Sequence, residues 1–189
     1  MRRFIIALVS LVLGSSAFVQ AQSFVTLDLG YSSNNYFGFG ASFWGEYSPI
    51  VFGFSGGVNT DTSACGKDYT GIIGFNTHPE DHQSKDTSTD MVYAVSLGHR
   101  LVSNAHTYGG LYISALGGLG ERDTYLNCYD RHHILSSSGW YYITLHRDVV
   151  FEYGGKLSYW RGEVFGFEVG YSNIRGVFFN LSLSLGGIF

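Results

Sequence analysis

A chain of 189 residues has room for one domain, and its formal charge of −4, with only 14% charged residues, argues against a basic nucleic-acid surface. It carries 26 glycines, 17% aromatics and two prolines, and no internal run is apolar enough for a transmembrane helix. Any membrane entry must then be by strands, because in lipid only helices and closed barrels satisfy their own backbone groups.

The chain opens on a positive Met1-Arg2-Arg3, an apolar stretch from Phe4 to Leu13, and a small-residue cleavage signal at Val19-Gln20-Ala21. Together these read as a secretory signal peptide over residues 1–21, leaving a mature chain of 22–189. The apolar run is about half the roughly 20 residues that a spanning helix needs.

Eight segments then alternate apolar with small or polar residues, the signature of half-buried strands. They are Phe24 to Ser32, Tyr36 to Glu46, Ile50 to Asn59, Met91 to Leu101, Tyr108 to Leu119, Val149 to Trp160, Val164 to Ser172 and Val177 to Phe189. Each has about the 9 to 11 residues with which a tilted strand crosses a bilayer. Asn34-Asn35, Ser48-Pro49, Ser103-Asn104, Arg161-Gly162 and Asn173 to Gly176 supply turns. The connectors near 60–90 and 120–148 are long and are expected as loops. With both termini in the periplasm, both long loops lie outside the cell. Trp140 to Leu145 either extends the sixth strand or forms a strand of its own; pairing it with Tyr69 to Phe75 would make ten, but that would put a long connector in the periplasm, so eight is preferred.

Charge separates a membrane barrel from a soluble one, whose surface would carry charged residues at about 25 to 35%. Most charges fall in the two long connectors, and Arg161, Glu163 and Arg175 fall at turns. Within strands only Asp28, Glu46, Arg100, Glu152, Lys156 and Glu168 remain, all on the polar face, opposite Leu27, Phe43, Leu97, Phe151 and Phe167. That face otherwise carries glycine and serine, as a narrow lumen requires. The expected architecture is all-β, an eight-stranded antiparallel up-and-down transmembrane barrel with a lumen charge network of these six residues. Tyr31, Tyr47, Trp44, Trp140, Tyr159, Trp160 and Tyr171 near strand ends suit aromatic girdles at the two membrane interfaces.

The last strand, ending on Phe189, resembles the terminal strand of bacterial outer-membrane barrels, which the barrel-assembly machinery reads as a signal; Gly187 departs from the usual pattern. The whole resembles the small outer-membrane barrels that include the OmpA membrane domain and the OmpX and Ail proteins. That resemblance is architectural and rests on strands and loop placement. It implies residence in the outer membrane of a Gram-negative bacterium, among lipopolysaccharide and outer-membrane lipids.

Cys65 and Cys128, one in each long connector, are expected to pair in an oxidising compartment; unpaired thiols or metal ligation are the alternatives. His78 and His82 flank Glu80 and Asp81 without motif spacing, and Asp130, His132, His133 and Ser136 to Ser138 offer triad residue types without geometry. His99-Arg100-Leu101-Val102-Ser103-Asn104 has the residue types of the His-x-Ser-Asn motif of outer-membrane lipid A deacylases, with two residues inserted. No catalytic residue, cofactor or metal is therefore assigned. The expected function is a non-catalytic barrel with a structural or adhesin-like role through its two long loops, the acidic one suited to basic or cation-bridged surfaces. A lipid A-modifying hydrolase and a narrow pore are the alternatives.

Overall fold

A computed structural model of the chain describes residues 23–45, 48–61, 63–70, 82–103, 109–161 and 165–187. Nine strands are present: β1 (Ser23–Ser32), β2 (Tyr36–Gly45), β3 (Ile50–Asn59), a two-residue β4 (Lys67–Asp68), β5 (His82–Ser103), β6 (Gly109–Tyr129), β7 (Trp140–Arg161), β8 (Phe165–Ser172) and β9 (Gly176–Gly187). All but β4 form one closed ring of eight antiparallel strands, in which each pairs with its sequence neighbour and β9 closes on β1. The signal segment 1–21, Glu46 and Phe189 lie outside the described residues.

Period-two alternation sorts the side chains as the membrane reading requires. On β9, Val177, Phe179, Leu181, Leu183 and Leu185 point outward while Phe178, Asn180 and Ser182 are buried in the lumen. The same holds on β7, where Phe151 is 75% exposed and its neighbour Glu152 only 2%. On β8, Phe165, Phe167, Val169 and Tyr171 face out while Glu168 is fully buried. A band of exposed Leu, Val and Phe around a polar interior is the reverse of a water-soluble barrel and matches a hydrocarbon surround.

The lumen holds larger groups than its glycine and serine content suggests. Trp44 and Trp160 turn inward, at 3% and 1% exposure, so neither belongs to an interfacial girdle. They share parity with Ser42 and Ser158, and the narrow interior accepts them because small residues lie beside them: a Cβ on Gly166 would come within 2.1 Å of the Trp160 ring. Tyr31 and Tyr171 do face outward, near the opposite end.

The largest departure from the sequence reading lies above the ring. β3 pairs with β5 only from Ile50 opposite His99 to Val58 opposite Met91, and β8 meets β7 only up to Gly154. Yet β5, β6 and β7 stay hydrogen-bonded to one another well past these points, up to His82 opposite Tyr129 and Tyr129 opposite Trp140. Much of both long connectors is thus a three-stranded sheet that extends past the barrel by about 30 Å of strand, at about 3.4 Å per residue. A bulge at Asp90, where the register shifts between Thr89 and Met91, marks the point where β5 leaves the ring.

Candidate functional site

Inside the ring the charged residues form two buried knots. Lys156 Nζ lies 2.7 Å from Glu168 Oε1, which also accepts from Ser158 Oγ at 2.9 Å, while Asn180 Nδ2 donates to Glu168 Oε2 at 3.1 Å. Nearer the projecting sheet, Arg175 Nε donates to Glu152 Oε1 at 2.6 Å, with Ser172 Oγ on the same oxygen. The Arg175 guanidinium also lies over the Phe178 ring, 4.7 Å from its centroid. Arg175, assigned to a turn by sequence, is thus a lumen residue, 2% exposed. The left-handed Gly176, at φ 70°, interrupts strand parity at the first residue of β9, so the alternation of Val177 onward does not predict where Arg175 points.

Asp28 is buried beside Thr26 and Ser42, and Arg100 is half-buried at the other end, opposite Tyr112 in the register. That end is filled by an aromatic stack. Phe24 and Trp44 have centroids 4.5 Å apart, Trp44 and Trp160 lie 5.6 Å apart and 6° from parallel, and Tyr112 meets Trp160 at 4.7 Å. The stack lies toward one end of the lumen and the two ion pairs toward the other.

The projecting sheet is of different character. One of its faces gathers Asp86, Asp90, Asp123, Tyr125, Asn127 and Tyr142. Asn127 Nδ2 donates to Asp86 at 2.8 Å, the Tyr125 hydroxyl bonds Asp90, and the rings of Tyr125 and Tyr142 meet edge to face at 5.4 Å. Burial and then the Asp90 carboxylate push the Tyr125 phenol well above its usual pKa. Burial and then Asp68 raise that of Tyr142. Arg147 grips Asp123 through two bonds of 2.7 and 2.6 Å.

A clasp holds the segment before β5 against this sheet. β4 runs parallel to β7 at Tyr141 and Tyr142, Thr70 Oγ1 accepts from Thr144 N at 2.9 Å, and Asn127 binds both Ser63 O and Cys65 N. This arrangement corrects the expected disulfide. Cys65 is anchored over the Asn127 face and is exposed, whereas Cys128, one residue further on, turns to the opposite face of β6 beside Tyr141 and is buried. The two sulfurs are not bonded. Adjacent residues of one strand cannot present to the same side, and the Asn127 contact has fixed which side faces Cys65.

The hairpin tip is ordered by Asp130, whose carboxylate accepts from the backbone of His132, Ile134 and Leu135 at 2.8, 2.6 and 2.9 Å. Those bonds hold its pKa below the usual carboxylate value, the Leu135 amide contributing most. Among the described residues no serine, histidine and acid chain is assembled here: His133 Nδ1 meets Ser137 O, and Ser136 Oγ meets Ser138 Oγ. His99 lies on the outward face of β5, at the end away from the projecting sheet, and Asn104 is outside the described residues.

A closed ring of eight antiparallel strands with an apolar exterior and a polar, packed lumen defines a small membrane-spanning β-barrel of the outer-membrane type. Among solved structures the chain is similar to Ail, the attachment invasion locus protein of Yersinia pestis, at 10% identity and a TM-score of 0.38, over 86% of this chain and 91% of that one. No family signature matches the sequence. No curated protein matches it either.

Proposed function

We propose that this chain is a non-catalytic protein of the outer membrane of a Gram-negative bacterium, and that its projecting β5–β6–β7 sheet binds a basic or cation-bridged surface outside the cell. The observation that carries the reading is the acidic and aromatic face of that sheet, where half-buried Asp86, Asp90 and Tyr142 surround the buried Asp123 and Tyr125, with Arg147 as their one basic partner among the contacts described. Carboxylates beside aromatic faces suit lysine and arginine side chains, which gain from ion pairing and from cation–π contact together. Lipopolysaccharide bridged by divalent ions is a second surface of the right chemistry, and outer-membrane lipids surround the ring. Insertion by the barrel-assembly machinery through the terminal strand accompanies this reading.

The test uses the refolded protein in liposomes and a fluorescent oligolysine peptide. Wild-type vesicles bind the peptide, with affinity falling as salt rises, and Asp86→Asn with Asp90→Asn weakens binding about tenfold while the heat-modifiable gel shift of the folded barrel is kept. Equal binding by both proteins would remove the acidic face from the function. Unaltered lipid A from cells with and without the protein would exclude the hydrolase alternative.

A further inference from the structure

Asp28 stands apart from the other lumen carboxylates. Glu168 has Lys156 at 2.7 Å and Glu152 has Arg175 at 2.6 Å. Asp28, 2% exposed, has no Lys or Arg within ion-pair distance among the described residues. Its contacts are hydroxyls, Ser42 Oγ donating to Oδ2 at 3.1 Å and Thr26 Oγ1 to Oδ1 at 3.4 Å. The Lys156 ammonium acts on it only from beyond ion-pair distance while bonded to Glu168, whose own charge opposes that of Asp28, and hydroxyl dipoles do not replace a direct counter-ion for a carboxylate withdrawn from bulk water.

The surroundings hold unused ligands. Ser182, directly opposite Asp28 on β9, is 1% exposed and its hydroxyl has no partner other than the Asp28 carboxylate itself. On the other side, Gly40 faces Asp28 from β2 and sets no side chain against the carboxylate, while the Phe54 carbonyl oxygen closes in to 2.7 Å from where a Cβ would stand. Ser42 and Thr26 each donate one proton and retain lone pairs. The donors are all oxygen, one carboxylate and three hydroxyls, which is a hard set with no nitrogen or sulfur. A single negative charge calls for a single positive one.

We propose that Asp28, with Thr26, Ser42 and Ser182, binds a monovalent alkali cation in the lumen, between the aromatic stack at one end and the Arg175–Glu152 knot at the other. The cation sets a positive charge directly on Asp28, which the Lys156 and Arg175 ion pairs leave without a contact ion of its own. It is independent of surface binding by the projecting sheet.

The experiment uses the folded barrel in detergent. Its thermal unfolding midpoint, read by the heat-modifiable gel shift, is compared in sodium, potassium and rubidium chlorides and in N-methylglucamine chloride at equal ionic strength, and crystals are soaked in rubidium. The midpoint should rise by about 3 °C or more in the preferred alkali salt, saturating with concentration, and anomalous density should lie beside Asp28. Asp28→Asn should fold and lose the salt preference, and Ser182→Ala should need a several-fold higher concentration for half the effect. Equal midpoints in all four salts with no anomalous peak would overturn the proposal, as would an infrared band of a protonated carboxyl that vanishes in Asp28→Asn. Should Asp28→Asn fail to fold, the rubidium density and the Ser182→Ala titration decide.

Discussion

The projecting sheet continues three of the ring's eight strands, β5, β6 and β7, yet sheet and ring hold their charges differently. In the ring, Glu152, Lys156, Glu168 and Arg175 are nearly inaccessible and tied into knots, because a charge withdrawn from water must find a partner. In the sheet, Arg147 and Asp123 are also paired, but the Arg147 side chain is 61% exposed and water already solvates it. Losing one partner should therefore cost more in the ring, where both partners are buried, than in the sheet, where only Asp123 is. Asp86 and Asp90, half-buried, keep contact with water and can face a partner.

Breaking the lumen knot is the strongest challenge to this contrast. Arg175→Met leaves Glu152 buried and unpaired and should cost about 3 to 5 kcal/mol, seen as a lower urea midpoint for loss of the folded gel band. Arg147→Met, the matching change in the sheet, should cost less than Arg175→Met, because the lost cation stood in water and only its partner Asp123 is buried. If the two variants proved equally damaging, burial would not be what separates the regions. The smallest effect is expected at the hairpin tip. Because backbone amides favour the ionised form of Asp130, its folded pKa lies below its unfolded one, so its contribution is complete above about pH 4 and is lost as pH falls through the lower folded value. Hydrogen exchange at the His132, Ile134 and Leu135 amides should quicken at that acid end while ring amides stay protected; exchange independent of pH after correction for intrinsic rates would contradict this.

The membrane-crossing strands were legible in the sequence because lipid and lumen impose opposite demands on alternate residues, as Val177 to Leu185 display. The upper parts of β5 and β6 were not, whereas Trp140 to Leu145 does extend the sixth strand, one of the two readings its pattern offered. Thr87-Ser88-Thr89-Asp90 and Glu121-Arg122-Asp123-Thr124 carry no apolar alternation, and their pairing passes through a bulge at Asp90 and a register shift after Thr124. Trp44 and Trp160 were misread for another reason. Position near a strand end suggested a girdle, while their parity with Ser42 and Ser158 already pointed inward. Arg175 escaped because parity does not carry through the left-handed Gly176. The pairing of Cys65 with Cys128 failed on a one-residue difference in facing that composition and compartment cannot express.

The clasp has a consequence for life in a crowded membrane. A sheet that outgrows its barrel leaves a raw margin on β7, where unpaired peptide groups invite a neighbouring copy to zip on and seed an aggregate. Here β4 covers Tyr141 and Tyr142, Thr70 occupies the amide of Thr144, and Asn173 takes the amide of Tyr153 and the carbonyl of Phe151. What is left between is studded with His146, Arg147 and Asp148. Two residues of parallel strand and a few side-chain amides and hydroxyls thus leave less of that margin open to a second copy.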